Sequence, residues 1–185
     1  MIISSVDYSL TGPAICVFDV RNTFNFANCS FYYLTDTKKY ATSFIGNVHG
    51  ELFNPYDEEC ERYDTISDWV MRTIMGSERV CIEGYAYSAT GRVFQLAENT
   101  GILKYKLYQA SIPVDIVEPT KVKKFFTGKG NSDKAKMYEA FVAETNVPLH
   151  EIMTPNKSGI SSPVSDIVDA YAICKWFSEQ ILFGG

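Results

Sequence analysis

Residues 2–20, IISSVDYSLTGPAICVFDV, decide the architecture. An apolar start runs into Asp7, a polar turn follows with Gly12 and Pro13, and a second apolar run extends from Ala14 to Phe18. That order predicts strand, turn, strand, with Asp7 where the first strand ends. Working outward, FNFANCSFYYL (24–34) and the stretch around Tyr40 to Val48 are aromatic and β-branched, so the chain is expected to open with three antiparallel strands. Between Pro55 and Met75, Tyr56, Cys60, Tyr63, Ile66, Val70 and Ile74 recur three and four apart, the period of an amphipathic helix with an acidic start. RVCIE (79–83) then reads as a short buried strand whose last residue is a carboxylate.

Farther on, Leu96, Thr100, Leu103 and Leu107 lie on one face of a helix expected over Gln95 to Gln109, and Pro113 to Val117 form a fifth strand. The Glu118-Pro119 step breaks the chain. A short helix around Val122, Phe125 and Phe126, a basic loop TGKGNS and a helix from Asp133 to Glu144 follow. Asn146 to Ser162 reads as loop, and Ser162-Pro163 matches an N-cap and first-turn signal for a helix ending near Phe183. Strands followed by alternating helices and strands predict an α/β fold, a mixed five-stranded sheet flanked by helices.

A chain of 185 residues that is 46% hydrophobic fits one domain spanning 1–185, with a sizeable core. At 21% charged it is too apolar for a disordered tail, and no apolar run reaches the length of a membrane-spanning helix. The N-terminal stretch lacks a basic region followed by an apolar one, so neither secretion nor a membrane partner is expected. Five cysteines, odd in number and without C-x-x-C, argue against a disulfide framework or a zinc site. The expected compartment is the cytoplasm or another reducing one, whether an organelle or, for a viral protein, the host cytoplasm. Charge is segregated. The net charge is −5, yet Lys104 to Lys136 hold eight lysines against Asp115, Glu118 and Asp133. An acidic body with one basic segment suits a protein that holds cations in one place and phosphates in another.

Asp7 and Glu83 each end a strand, where sites of α/β sheets assemble, and Asp166 and Asp169 share a face of the last helix. Asp7 and the D-x-x-D pair have plain structural explanations, a turn residue and the helix macrodipole, whereas a carboxylate ending a buried run before Gly84, as Glu83 does, is rarely there for structure alone. Together they form a set that protons or cations must neutralise. Hard oxygen ligands without histidine or thiolate select Mg²⁺ or Mn²⁺, and a pair of such ions supports phosphodiester cleavage. His49 and His150 read most simply as surface residues.

The sequence resembles the RuvC-like Holliday-junction resolvases, a branch of the RNase H-like nuclease superfamily. The resemblance rests on Asp7 followed by SLTG, VCIEGYAY (80–87), FQLAENTG (94–101), EPTKVKKFFTGKGNSDKAK (118–136) and SDIVDAYAI (165–173), in the family's order. Its most specific piece is P-T-x-V-K-K-x-x-T-G-x-G-x-x-x-K from Pro119 to Lys134; residues 19–76 carry little of it. The resemblance implies an RNase H-like fold, with Asp7, Glu83, Asp166 and Asp169 as a metal-binding catalytic tetrad for two Mg²⁺ or Mn²⁺ ions. Lys134 looks like the family's lysine near the scissile phosphate. Lys121, Lys123 and Lys124 look like DNA-backbone contacts, with Thr127, Gly128, Lys129 and Gly130 in a loop that approaches the strand. Tyr85 or Tyr87 stands where the family places an aromatic that probes the junction's centre. The implied activity is crossover-junction endonuclease: resolution of branched DNA, above all four-way junctions, by metal-dependent hydrolysis with paired symmetric nicks.

Two equivalent cuts imply a two-fold homodimer, for which the 95–109 helix is one candidate interface. The rivals are a broader branched-DNA nuclease, an RNase H-type ribonuclease with the same tetrad, and a junction-binding protein without catalysis. A sugar-kinase or actin-type ATPase shares the strand, acid and Thr-Gly turn but needs glycine-rich phosphate loops that this sequence lacks. A P-loop is excluded because Gly128-Lys129 is followed by Gly130 rather than Ser or Thr.

Overall fold

The structure, a computed structural model, describes residues 1–85 and 93–184. Its sheet has seven strands rather than five. β1 (Ile2–Asp7), β2 (Ala14–Asp19) and β3 (Cys29–Thr35) form the expected antiparallel start. Beyond β3 the sheet continues into β5 (Val48–Leu52), parallel to β3, and β4 (Ser43–Phe44), antiparallel to β5. On the other side of β1 lie β6 (Arg79–Glu83) and β7 (Val114–Val117), both parallel to it, giving the order β4-β5-β3-β2-β1-β6-β7. The β-like stretch around Tyr40 to Val48 holds β4 and the start of β5, but VHGEL carries only two apolar residues and β4 is two residues long, so neither announces a strand of its own. Neither shows the alternation by which a strand is recognised.

Helices cover both faces. α1 (Glu59–Thr73) and α2 (Val93–Gln109) lie on one, burying Ile66, Trp69, Val70, Leu103 and Leu107 against Val6, Ile15, Val80 and Ile82. α3 (Pro119–Thr127), α4 (Lys134–Thr145), α5 (Leu149–Met153) and α6 (Val164–Phe183) lie on the other. There Phe26, Phe31, Phe141 and Tyr171 meet in tilted and edge-to-face pairs, and the Tyr171 hydroxyl donates to Glu144 Oε1 at 2.6 Å. α5 corrects the expectation of loop across 146–162; at five residues it is too short to impose a period on the sequence. No helix among the described residues is long and apolar enough to cross a membrane.

The period of two in β1 sorts the chemistry. Val6 belongs to the α1–α2 side and Ile3 to the α6 side, so Ile3, Ser5 and Asp7 all face α6. Ser5 lets the helix come close, and its hydroxyl donates to Ala170 O at 2.7 Å, a buried bond worth about 1 kcal/mol that fixes where α6 lies along β1.

The added strands depend on a close approach at Gly50. A Cβ there would collide with the Tyr40 carbonyl and lie 2.6 Å from the hydroxyl of buried Tyr33, which itself donates to Tyr40 O at 2.6 Å. Gly50→Ala is therefore expected to lower the unfolding free energy by about 2 kcal/mol, the usual cost of overpacking, as read from urea titration. An unchanged midpoint overturns this account of β5.

Candidate active site

Parallel pairing in register, with Val6 opposite Ile82, sets Asp7 and Glu83 side by side one step farther along. Glu83 and Cys81 share a face of β6, and Cys81 packs in the core under α6, so both carboxylates point to the helix that carries Asp166 and Asp169. All four side chains thus lie at one end of the sheet. At that end a cavity of about 290 Å³ is lined by Asp7, Tyr8, Ser9, Glu83, Gly84 and Tyr85 from the strand ends, with Leu96, Thr100 and Pro119.

The turn after β1 is pinned from three sides. Tyr8 donates to buried Asn99 Oδ1 on α2 at 2.9 Å, Ser9 Oγ accepts the Gly12 N–H at 3.0 Å, and the guanidinium of buried Arg62 on α1 donates to Leu10 O. Held so, the turn presses Gly12 against α6: a Cβ there would lie 2.6 Å from Asp166 Oδ2 and 2.9 Å from Ser162 Oγ. Asp166 is itself clamped, since Ser162 Oγ donates to its Oδ2 and Ser165 Oγ to its Oδ1 at 2.9 Å. This corrects the expected cap. Pro163 occupies the position before α6, and Ser162 turns its hydroxyl to a carboxylate, a charge-assisted bond stronger than a neutral bond to a backbone N–H. Lys157 Nζ donates to Ser162 O at 2.7 Å and Lys134 Nζ to Ser165 Oγ at 3.2 Å, which brings the expected lysine to the acids.

Electrostatics binds the four into one unit. Burial pushes the Asp7 carboxyl well above the usual carboxylate range; repulsion from Glu83, Asp169 and Asp166 adds to it, and Lys134 opposes. Glu83 is pushed up to about 7 by burial and by Asp169, against Lys123. Asp169 rises to about 6 through burial and Asp166, against Lys123 and Lys134. Asp166 is raised by burial, while the Ser162 and Ser165 hydroxyls, then Lys134 and Lys157, pull it back. Among the described residues no three His, Cys, Asp or Glu side chains are gathered into a finished cage for a metal ion. Four anions with only lysines to balance them repel one another, and the two serines hold Asp166 to its own side. In donor chemistry the set fits a hard divalent cation: all oxygen, desolvated and short of positive charge.

The remaining expected contacts divide. Lys123 is half-buried on α3 and acts on Glu83 and Asp169. Lys121 is exposed, 3.9 Å from Glu118, and Lys124 and Lys129 are exposed without a role in the acid cluster. The TGKGNS loop is held by its own atoms. Thr127 Oγ1 bonds to Lys123 O at 2.8 Å and to Ser132 Oγ at 2.6 Å, and Gly128 ends α3 with φ +81°, which favours glycine. Gly130 passes close to Thr120 O, 3.1 Å from where a Cβ would stand. Tyr85 borders the cavity, and Tyr87 lies outside the described residues. Sequence reasoning assigns no site role to Arg62, Ser162, Ser165 or Lys157; of these only Ser162 carries a local signal, that of a helix cap.

The raised acids make folding pH-dependent in a definite direction. At low pH they are protonated in folded and unfolded chains alike. As pH climbs from about 4 to about 7 the unfolded chain sheds protons that the folded state keeps, so these groups cost stability increasingly. In EDTA, Glu83→Gln is expected to melt with wild type near pH 4 and roughly 5–10 °C higher near pH 8, corresponding to on the order of 3 kcal/mol. Thermal scans across that range check it, and a constant difference contradicts it. No protein-family profile matches the sequence, and no curated protein matches it. Solved structures do. Thermus thermophilus RuvC in complex with a Holliday junction substrate matches with a TM-score of 0.62 at 14% identity, covering 97% of this chain and 96% of that one. The fowlpox virus Holliday junction resolvase gives 0.54 at 16% identity, over 97% and 99%, and the yeast mitochondrial resolvase 0.53 at 14%, over 97% and 78%. With 97% of the chain aligned to these structures, the protein resembles the RuvC-type Holliday junction resolvases in structure and has their RNase H-like fold.

Proposed function

We propose that this chain is a structure-selective DNA endonuclease that resolves four-way junctions by metal-dependent phosphodiester hydrolysis. The observation that carries the reading is the meeting of Asp7, Glu83, Asp166 and Asp169, from two parallel strands and one helix, in a cleft where the opposing charges among the described residues are lysines. Support comes from the fold, since the similar RuvC has been solved with a Holliday junction substrate. In this reading the four acids hold two Mg²⁺ or Mn²⁺ ions. When bound, such cations lower the pKa of water and offset charge on phosphoryl oxygens. The protein's own part is positional. Lys134, braced by Ser165, receives a non-bridging oxygen of the scissile phosphate, and Lys123 takes up charge on the Glu83–Asp169 side. Lys121, Lys124 and the loop through Thr127, Gly128, Lys129 and Gly130 track the backbone without reading sequence. Tyr85 meets the bases near the branch, and a two-fold homodimer in a reducing compartment places paired nicks.

The test is cleavage of a four-way junction, a Y-fork, duplex DNA and an RNA–DNA hybrid side by side, with Mg²⁺, with Mn²⁺ and with EDTA. Symmetric nicks in the junction alone, absent in EDTA, are expected; preference for the hybrid moves the assignment to a ribonuclease. Asp7→Asn and Asp166→Asn are expected to keep junction binding and to cut at least about a hundredfold more slowly. Wild-type cutting by either sinks the metal-site assignment. Gly12→Ala, which drives a methyl group into Asp166, is expected to lower cutting by about tenfold or more while the circular dichroism spectrum stays that of wild type.

A further inference from the structure

Glu83 divides the cleft. On the β1 side is the cavity at Asp7; on the β7 side lies a second cavity, again of about 290 Å³, which shares Glu83, Gly84, Tyr85 and Thr100 with the first. The two are neighbouring bays along the ends of three adjacent parallel strands. Two cations reach the second bay, Lys104 from α2 and Lys121 from α3, and Glu118 lines it beside them. Lys121 has only a loose partner in Glu118, 3.9 Å away, and both are exposed, so water and salt screen the pair. Lys104 makes no ion pair among the described residues, and residues 86–92 contain no acid to supply one. Its ammonium stands 5.6 Å from the centroid of the Tyr85 ring, on which it rests as a cation on a π face. Tyr85 thus stands where the bays join, with a positive charge behind it.

Alternation of anionic groups with flat aromatic ones is the chemistry of a nucleic-acid strand, and a lysine beside an aromatic is how proteins hold single strands without reading sequence. We propose that the second bay is a nucleotide subsite, in which Lys104 and Lys121 hold a phosphate neighbouring the scissile one and Tyr85 stacks on the base between them. The inference rests on the nuclease reading of the first bay and adds a strand path: the cut strand runs from the β1 side across Glu83 to the edge of the sheet at β7.

Binding is measured in EDTA, where nothing is cut. Wild type, Lys104→Ala and Lys104→Arg are titrated with a synthetic four-way junction and with a single-stranded oligonucleotide over a range of salt. Lys104→Ala is expected to bind both more weakly, with the log-log salt slope on the junction shallower by about 0.9, and Lys104→Arg to restore the slope. Neutral methylphosphonates, placed one at a time along the strand, are expected to reveal one position that weakens Lys104→Ala, which still has Lys121 there, less than it weakens wild type. Should Lys104→Ala keep the wild-type affinity and slope, or should the two losses add at every position, the subsite is overturned while the nuclease reading stands. A wild-type protein that binds neither DNA overturns both.

Discussion

Like charges drawn out of water must be held together by something stronger than their repulsion, and here the packing of α6 against β1 and β2 supplies it. The helix is apolar on nearly every side, and Val164, Ile167, Val168, Tyr171 and Phe177 are all sunk in the core. Asp166 and Asp169 ride on this anchored element and cannot retreat from Asp7 and Glu83, which are fixed in turn by sheet pairing. Burial then raises all four acids, and repulsion adds to it at Asp7, Glu83 and Asp169. A fold selected for stability alone has no reason to accept that arrangement.

Much of this was legible in the sequence, because two short-range rules carried it. Alternation in IISSVD fixes the face of Asp7, and the three-residue spacing of Asp166 and Asp169 fixes a common helix face. What the residues alone left open was which face of the sheet α6 covers. The Ser5 hydroxyl on Ala170 O settles that, a contact between residues 165 positions apart that no local pattern announces. The supporting clamps were invisible for the same reason. Arg62 reaches Leu10 across 52 residues, and Lys134 reaches Ser165 across 31.

The expected five strands run together from β3 across to the edge at β7, and the two surplus strands lie beyond β3. β4 and β5 fall within residues 19–76, where the sequence resembles little, and they extend the sheet away from the acid end rather than toward it. Their lining is mixed: Tyr32 packs on His49 with ring centroids 5.2 Å apart, and Ser43 bonds to the same imidazole at 2.9 Å. The elaboration leaves the β1–β6–α6 junction untouched, so the candidate site and the added strands are separable parts of one sheet.

The clamp of Ser162 and Ser165 sets Asp166 apart from its three companions. Its two oxygens are each engaged, whereas no hydroxyl or amide among the described residues bonds to the side chains of Asp7, Glu83 or Asp169. One carboxylate is thus held at both its oxygens, and three carry no such clamp. Under the nuclease reading the rigid one acts as a fixed post and the others as adjustable arms, so a smaller or larger cation is met by rotation about a few side-chain bonds instead of by a shift of the sheet.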